Sequence, residues 1–113
     1  TVDTNSARLS YIWTVSSDVV FDGSRVSAIG SASAQRAGFK LVVRTTLEGN
    51  SGGGWYDLYS GSNQTTSDDV IMVNFYYAKT AGMQYRTRTT ATMYTLAGTE
   101  LETVTIYSKT IQA

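Results

Sequence analysis

Short runs in which apolar and polar side chains alternate recur along this sequence, and most of them end at a turn signal. In 39–47, for instance, Phe39, Leu41 and Val43 share one face, while Lys40 and Arg44 share the opposite face. Such alternation is typical of a strand with one buried face, whereas helical spacing of apolar residues is weak throughout. The sequence therefore predicts an all-β chain.

About seven strands follow one another at intervals of roughly 10–15 residues, the pattern of a sandwich of two sheets. Eight runs, some of them short, suggest these roughly seven strands: 9–15, 19–21, 25–34, 39–47, 55–59, 69–78, 82–95 and 101–111. The polar stretch 60–67 is predicted to be a loop. No linker or internal repeat divides the chain. We therefore expect a single domain over 1–113, built as an antiparallel Greek-key sandwich of immunoglobulin-like type.

A tyrosine close to a turn supports this topology. Tyr85 lies three residues after Gly82, at the start of an alternating strand. In Greek-key sandwiches a tyrosine at this place ties its hydroxyl group to the preceding crossover connection, which is called a tyrosine corner. The alternative is a tyrosine that only packs in the core, and we favour the corner.

Several local motifs together resemble a known group of proteins. They are Trp55 after a glycine-rich hairpin, Phe75-Tyr-Tyr before Ala81-Gly82, Tyr85-Arg-Thr-Arg, Gly98, and Glu102-Thr ahead of Tyr107-Ser. The combination is similar to small secreted proteins of Gram-positive bacteria that have an unknown function and an immunoglobulin or fibronectin-III-like sandwich. The resemblance covers about residues 9–110, and it implies a fold and a secreted location but no active site.

Composition removes most kinds of chemistry. The chain has no Cys and no His, so it lacks the thiol nucleophile, the commonest general base and the commonest ligands of transition metals. Its net charge is +0, without the basic stripe that nucleic acids require, and no apolar run approaches the length of a membrane span. We expect no enzyme activity, no cofactor, no resident metal, no nucleic-acid partner and no membrane span.

The few carboxylates have a structural interpretation. Glu100 and Glu102 are expected to pair with Arg86 and Arg88 on the adjacent strand rather than to act as a catalytic pair. A calcium site built from Asp22, Asp57 and 68–69 is a weaker alternative, because the spacing of known calcium loops is absent.

Two features favour an extracellular location. Charged residues make up only 16% of the chain, so Ser and Thr hydroxyl groups supply much of its polarity. The sequence also begins at Thr1 rather than Met, as expected for a mature chain whose signal peptide has been removed. We predict a secreted or cell-surface protein.

Aromatic residues around the glycine-rich hairpin form a candidate glycan-binding site. Trp55, Tyr56 and Tyr59 flank this loop, and exposed rings stack on the flat faces of sugars. The alternative is that these rings pack across neighbouring strands, as Trp13 is expected to pack in the core. Asn63 begins an Asn-Gln-Thr sequon in the predicted loop, which makes it a candidate glycosylation site.

The N-terminal segment 1–7 precedes the first clear strand and is a candidate strand donor. Thr1, Val2, Asp3, Thr4 and Asn5 are candidate interface residues, because an extended segment of this kind is held by adding to the edge of a sheet. That edge belongs either to its own domain or to a neighbouring subunit. In the second case the chain assembles into a homo-oligomer or polymer.

The sequence thus favours a non-catalytic secreted or cell-surface structural protein that self-assembles, as a filament or surface layer, by strand addition at its termini. Low charge and few Lys residues at strand edges are compatible with such assembly. The alternative is a small glycan- or cell-wall-binding module whose partner is a carbohydrate.

Overall fold

A computed structural model describes residues 2–3, 10–67 and 69–113, and these residues form strands and connecting turns without a helix. The strands are β1 (Val2–Asp3), β2 (Ile12–Asp22), β3 (Arg25–Ala34), β4 (Lys40–Asn50), β5 (Tyr56–Thr65), β6 (Ile71–Ala78), β7 (Gln84–Tyr94), β8 (Glu100–Tyr107) and β9 (Ile111–Gln112). The prediction of an all-β chain is confirmed.

The strands form two antiparallel sheets that face each other. One sheet, sheet A, has the order β1-β2-β3-β6, and the other, sheet B, has the order β5-β4-β7-β8, with β9 pairing to β7. The hairpins β2–β3, β4–β5 and β7–β8 each stay within one sheet, whereas the connections from β3 to β4, β5 to β6 and β6 to β7 pass to the opposite sheet. This is the predicted sandwich with crossover connections.

The interior consists of two hydrophobic clusters with a belt of small polar side chains between them. Ile12, Leu41 and Met93 belong to the cluster at one end, and Leu47 and Tyr85 belong to the cluster at the other end. All five side chains are fully buried. The four central strands β2, β3, β4 and β7 therefore contribute apolar residues at their two ends and a hydroxyl or glycine near their middle.

Hydrogen bonds connect the side chains of this polar belt across the two sheets. The Ser17 hydroxyl donates to the Thr87 carbonyl oxygen at 2.7 Å, and the Thr89 hydroxyl donates to Ser17 Oγ at 3.0 Å. The hydroxyl groups of Thr45 and Thr89 lie 3.3 Å apart. Gly30 faces them, and a Cβ there would lie 1.9 Å from Thr45 Oγ1. The sheets can approach this closely only because residue 30 has no side chain.

Strand β2 differs from its prediction in two ways. It is one continuous strand instead of two, because Ser17 continues the inward-facing set by hydrogen bonding inside the belt. A register shift between Ile12 and Thr14 also turns Trp13 outward, where 53% of it is exposed. The expectation that Trp13 lies in the core is wrong, because an irregularity of one residue moves a side chain to the other face.

The stretch predicted to be a loop at 60–67 is strand through Thr65. β5 lies at the edge of sheet B, where β4 is its one partner among the described strands. An edge strand exposes much of its surface to solvent, so polar residues such as Ser60, Ser62 and Gln64 do not prevent it from forming. Polarity alone therefore led to the wrong assignment.

The tyrosine corner is confirmed. Tyr85 is fully buried, and its hydroxyl oxygen accepts a hydrogen bond of 2.8 Å from the backbone N–H of Thr80. Thr80 belongs to the connection between β6 and β7, so this bond fixes the crossover from sheet A to sheet B.

Candidate interaction surfaces

The outer face of sheet B carries an arginine between two aromatic rings. The Arg86 guanidinium carbon lies 4.2 Å from the centroid of the Trp55 ring and 4.6 Å from that of the Tyr107 ring. Trp55 is half-buried and Tyr107 is exposed. We call Trp55, Arg86 and Tyr107 the arginine stack. One face of the Trp55 ring is therefore occupied by a side chain of the same domain.

A carboxylate beside the stack is almost completely buried. Glu48 is only 3% exposed, and it accepts a hydrogen bond of 2.6 Å from Arg86 Nε and another from Arg88 Nη1. Arg88 also contacts Asp57, with 3.3 Å between Nη2 and Oδ2. Two positive and two negative groups thus neutralise each other, which a buried charge requires.

The electrostatic environment of Arg88 follows from this network. Partial burial lowers the pKa of its guanidinium, but the hydrogen bond and charge of Asp57, with the charge of Glu48, outweigh that effect. The net result is a pKa above the ordinary value for arginine. Arg88 therefore stays charged and holds the two carboxylates in place.

The expected pairing of Arg86 and Arg88 with Glu100 and Glu102 is wrong. The β7–β8 hairpin places Arg88 opposite Tyr107, while Glu102 lies opposite Met93, near the turn. In an antiparallel hairpin, residues near the turn face one another, so residues 86 and 100 are far apart along the strands. Counting outward from the turn at 96–99 would have revealed this. The observed partner of both arginines is Glu48, and it could be predicted only if the pairing of β4 with β7 were known.

The three aromatic residues of the predicted glycan site do not share one face. Trp55 lies over Arg86 on the outer face of sheet B, whereas Tyr59 lies opposite Leu47, whose side chain faces the interior. The Tyr59 ring packs against Phe75 at 4.9 Å between centroids but stays 55% exposed. The Tyr56 hydroxyl lies 3.9 Å from the sulfur of Met83. The sequence motif is therefore split between two surfaces.

Tyr59 borders an open groove of about 320 Å³ between the edge strands β5 and β6. Its lining consists of Tyr59, Gly61, Ser62, Asn63, Met72, Val73, Asn74 and Phe75. Gly61 leaves room for the opposite sheet, because a Cβ there would lie 3.0 Å from Val73 Cγ1. The groove thus lies where β5 of sheet B and β6 of sheet A, two edge strands, face each other.

Asn63 lies in strand β5 and not in the predicted loop. Its side-chain nitrogen donates to the Met72 carbonyl oxygen at 3.2 Å, and its side-chain oxygen accepts from the N–H of Gln64 at 2.8 Å. The nitrogen that a glycan would modify therefore joins β5 to β6, and the residue is exposed. Glycosylation of Asn63 stays a prediction.

On the opposite side of the sandwich, a carboxylate joins the two sheets. Glu102 of β8 accepts hydrogen bonds from the backbone N–H groups of Ser10, Tyr11 and Ile12 at 2.9, 3.2 and 2.9 Å. These three donors precede or begin β2, so one side chain of sheet B holds the start of sheet A. This is the role that Glu102 has instead of pairing with arginine.

The N-terminal segment adds a short strand at the same side. Val2 lies opposite Ser17 and Asp3 lies opposite Ser16, in antiparallel register at the outer edge of β2. The other candidate interface residues, Thr1, Thr4 and Asn5, lie outside the described residues, as do 6–9. The part that is described pairs with the edge of its own chain.

The aspartates considered for calcium are separated. Asp22 pairs with Arg25 at 3.0 Å and Asp57 pairs with Arg88, while Asp68 lies outside the described residues. Within 2–3, 10–67 and 69–113, no three Asp or Glu residues lie close enough to hold a metal ion. Nor does this part of the chain contain a helix long and apolar enough to cross a membrane.

Known proteins give no function that can be carried over to this chain. No family model and no curated protein matches the sequence. Among solved structures, the chain is similar to the solution structure of R. palustris CsgH, with 15% identity, a TM-score of 0.49, and coverage of 87% of this chain and 89% of that chain. A likeness at this level carries no argument about function. The predicted Gram-positive source and the immunoglobulin or fibronectin-III type stay predictions.

Proposed function

We propose that this domain is a non-catalytic structural protein, secreted or at the cell surface, that assembles with copies of itself by strand addition through its N-terminal segment. The observation that supports it is the pairing of Val2–Asp3 with the edge of β2. A sheet edge that accepts this segment from its own chain has the same shape and hydrogen-bonding groups for the segment of a neighbour.

The edge of β2 has room for such an exchange. β2 contains 11 residues, and among the described residues only Ser16 and Ser17 pair with β1 on that edge. A two-residue ladder in the same chain is a weak competitor, because it contributes few hydrogen bonds against the entropy of holding the segment. Exchange between neighbours replaces the same contacts with identical ones, so its cost is low.

Two single-cysteine variants test the exchange directly, because the natural chain has no Cys. Asp3 and Ser16 lie opposite each other in the ladder. When Asp3→Cys chains are mixed with Ser16→Cys chains under oxidising conditions, exchange produces a mixed disulfide between two chains of different tag size. An Asp3→Cys chain mixed with Thr105→Cys chains, in which the cysteine lies on exposed β8, is the matched control.

The double variant Asp3→Cys/Ser16→Cys detects the opposite outcome, in which the segment stays in its own chain and the disulfide forms within that chain. If it forms its disulfide only within one chain, and the mixed single variants form no more heterodimer than the Thr105→Cys control, the segment stays in its own domain and the proposal is overturned. Gel mobility without reductant distinguishes the two products.

A carbohydrate-binding module is the second candidate, supported by the exposure of Tyr59 beside the groove and of Tyr56 nearby. Trp55 contributes less to such a site, because Arg86 covers one face of its ring. Tyr59→Ala is then expected to reduce retention on polysaccharide columns at least tenfold, whereas Tyr76→Ala, an equally exposed tyrosine of sheet A, leaves retention unchanged. Equal retention of both variants would remove this candidate.

A further inference from the structure

We infer that strand β6 is a contact surface for β6 of a second copy, which pairs antiparallel to it about a two-fold axis at Asn74. The inference rests on the proposed self-assembly and adds a second contact to it, at the other end of sheet A. β6 ends the strand order β1-β2-β3-β6, so its outer edge is not paired with another described strand.

The hydrogen bond from Asn63 shows which backbone groups of β6 face this open edge. Because the Met72 carbonyl accepts from Asn63 of β5, it points away from β3. In an antiparallel ladder, alternate residues direct both backbone groups to the same side. The N–H and C=O groups of Met72, Asn74 and Tyr76 therefore face outward, and among them only the Met72 carbonyl has a described partner.

β6 lacks the features that keep other edge strands from pairing. Ile71–Ala78 contains no charged residue, and its ladder with β3 has no register shift. Charges or bulges at an edge oppose association with another strand. A long, regular and uncharged edge is therefore the one most suited to accept a strand.

The other edges of the sandwich each have features that oppose pairing with a copy of the same strand. The ladders of β2, β5 and β8 all contain a register shift. In addition β2 carries Asp18 and Asp22, β5 carries Asp57, and β8 carries Glu100 and Glu102. About a two-fold axis these carboxylates would meet copies of themselves or lie near them, which costs energy. This contrast identifies β6 as the edge for self-pairing.

The register with its axis at Asn74 brings complementary side chains opposite one another at three kinds of position. It places Met72 opposite Tyr76 of the second copy, two side chains that are 54% and 49% exposed in the single chain. It places Asn74 opposite Asn74, where two amides can bond to each other. Continued beyond the two ends of β6, which spans Ile71–Ala78, the same register brings Asp69 opposite Lys79 of the second copy, so that opposite charges meet at both ends of the pair.

Two different two-fold contacts at opposite ends of one sheet have a geometric consequence. Reciprocal strand exchange at β2, in which each of two chains gives its segment to the other, joins a chain to one neighbour, and pairing at β6 joins it to another. Since each contact closes only on itself, their alternation generates an open row of subunits, in which copies of sheet A pair directly at β6 and are linked through the exchanged segments at β2.

Charge reversal at the ends of the pair tests this register. Lys79→Glu and Asp69→Lys each place like charges opposite one another at both ends, and we expect each to weaken β6 pairing at least tenfold. The double variant Asp69→Lys/Lys79→Glu restores opposite charges and is expected to recover it. Sedimentation velocity measures the mass distribution of each variant. Both residues are exposed, so we expect the variants to fold, and thermal unfolding checks this.

Thr105→Lys is the matched control, because it adds a positive charge to an exposed position of another edge strand and should leave association unchanged. If the single reversals leave the mass distribution of the full chain as it was, or if the double variant stays as weak as they are, the inference is overturned. Failure of strand exchange at β2 is detected by a separate experiment, as the absence of the mixed disulfide between Asp3→Cys and Ser16→Cys chains. In that case β6 pairing still gives dimers, which the single reversals convert to monomers.

Discussion

The two sides of the sandwich where the sheets meet are closed in different ways. At the β2–β8 side, the Glu102 carboxylate accepts three backbone hydrogen bonds and so joins the start of sheet A to sheet B. At the β5–β6 side, Asn63 donates one hydrogen bond to Met72, and a groove of about 320 Å³ remains. Hydrogen bonds to an ionised group are about twice as strong as bonds between neutral groups.

This difference indicates which side is held more firmly by the domain's own groups, and at which side the edge strand β6 is available for pairing with a second copy. A charged group with three partners is costly to disturb, since loss of its partners leaves a partly buried carboxylate without compensation. A single amide bond at an exposed position is easily exchanged for a bond to another chain. We therefore place strand pairing with a second copy at β6, beside the weaker closure.

Gly30→Ala is expected to have the largest effect on stability, because the added Cβ forces the two sheets apart at the centre of the sandwich, midway between the two sides. Its Cβ would lie 1.9 Å from Thr45 Oγ1 and 2.5 Å from Thr89 Oγ1. We expect a loss of about 3 kcal/mol in the free energy of unfolding, measured by urea titration. Gly53→Ala, in open space, should change it little. Adding Thr45→Ala should recover part of the loss, and no recovery would contradict this account.

Glu102→Ala should weaken the β2–β8 side by about 2 kcal/mol, because three backbone donors lose a charged acceptor. Hydrogen exchange of the amides of Tyr11 and Ile12 should accelerate in parallel with the change in urea midpoint. Glu100→Ala, an exposed neighbour on the same strand, is the control and should shift stability by less than about 0.5 kcal/mol. Equal effects of the two variants would remove the distinction between the sides.

Asn63→Ala should cost at most about 0.5 kcal/mol, because it removes one hydrogen bond between neutral groups at an exposed position. Calorimetry of this variant beside Ser62→Ala, an exposed neighbour in β5, isolates the contribution of the amide. A cost as large as that of Glu102→Ala would mean that both sides are closed equally firmly.

Gly61→Ala should have the smallest effect, even though its Cβ would lie 3.0 Å from Val73 Cγ1. The neighbouring groove lets Val73 move by a few tenths of an ångström, and alanine also reduces the entropy of the unfolded chain. We expect a loss below about 0.5 kcal/mol in urea titrations, compared with Gly53→Ala. A loss close to that of Gly30→Ala would show that the β5–β6 side is as tightly packed as the centre.

Local patterns were sufficient for much of the fold. Alternation located most strands, including the two that form the β2–β3 hairpin. The spacing from Gly82 to Tyr85 also predicted the tyrosine corner. These features depend on residues that are close to one another in the chain, so the local sequence pattern is enough to predict them.

The candidate site was less accessible to such reasoning. Trp55, Tyr56 and Tyr59 are neighbours in sequence, yet Trp55 lies on the outer face of sheet B and Tyr59 faces the groove. A register shift after Leu47 alters the alternation that would otherwise place residues 55 and 59 on one face. An irregularity of this kind depends on the partner strand and leaves no clear signal in the strand itself.

By itself the sequence determined an all-β chain, its hairpins and a composition without Cys or His, because periodicity and residue chemistry are local properties. Only the tertiary structure decided that Glu48 is the partner of Arg86 and Arg88, that Glu102 holds the start of β2, and that β6 is left as an uncharged edge. Each of these depends on which strands become neighbours. That choice is made by packing across the whole domain, where residues far apart in the chain come into contact.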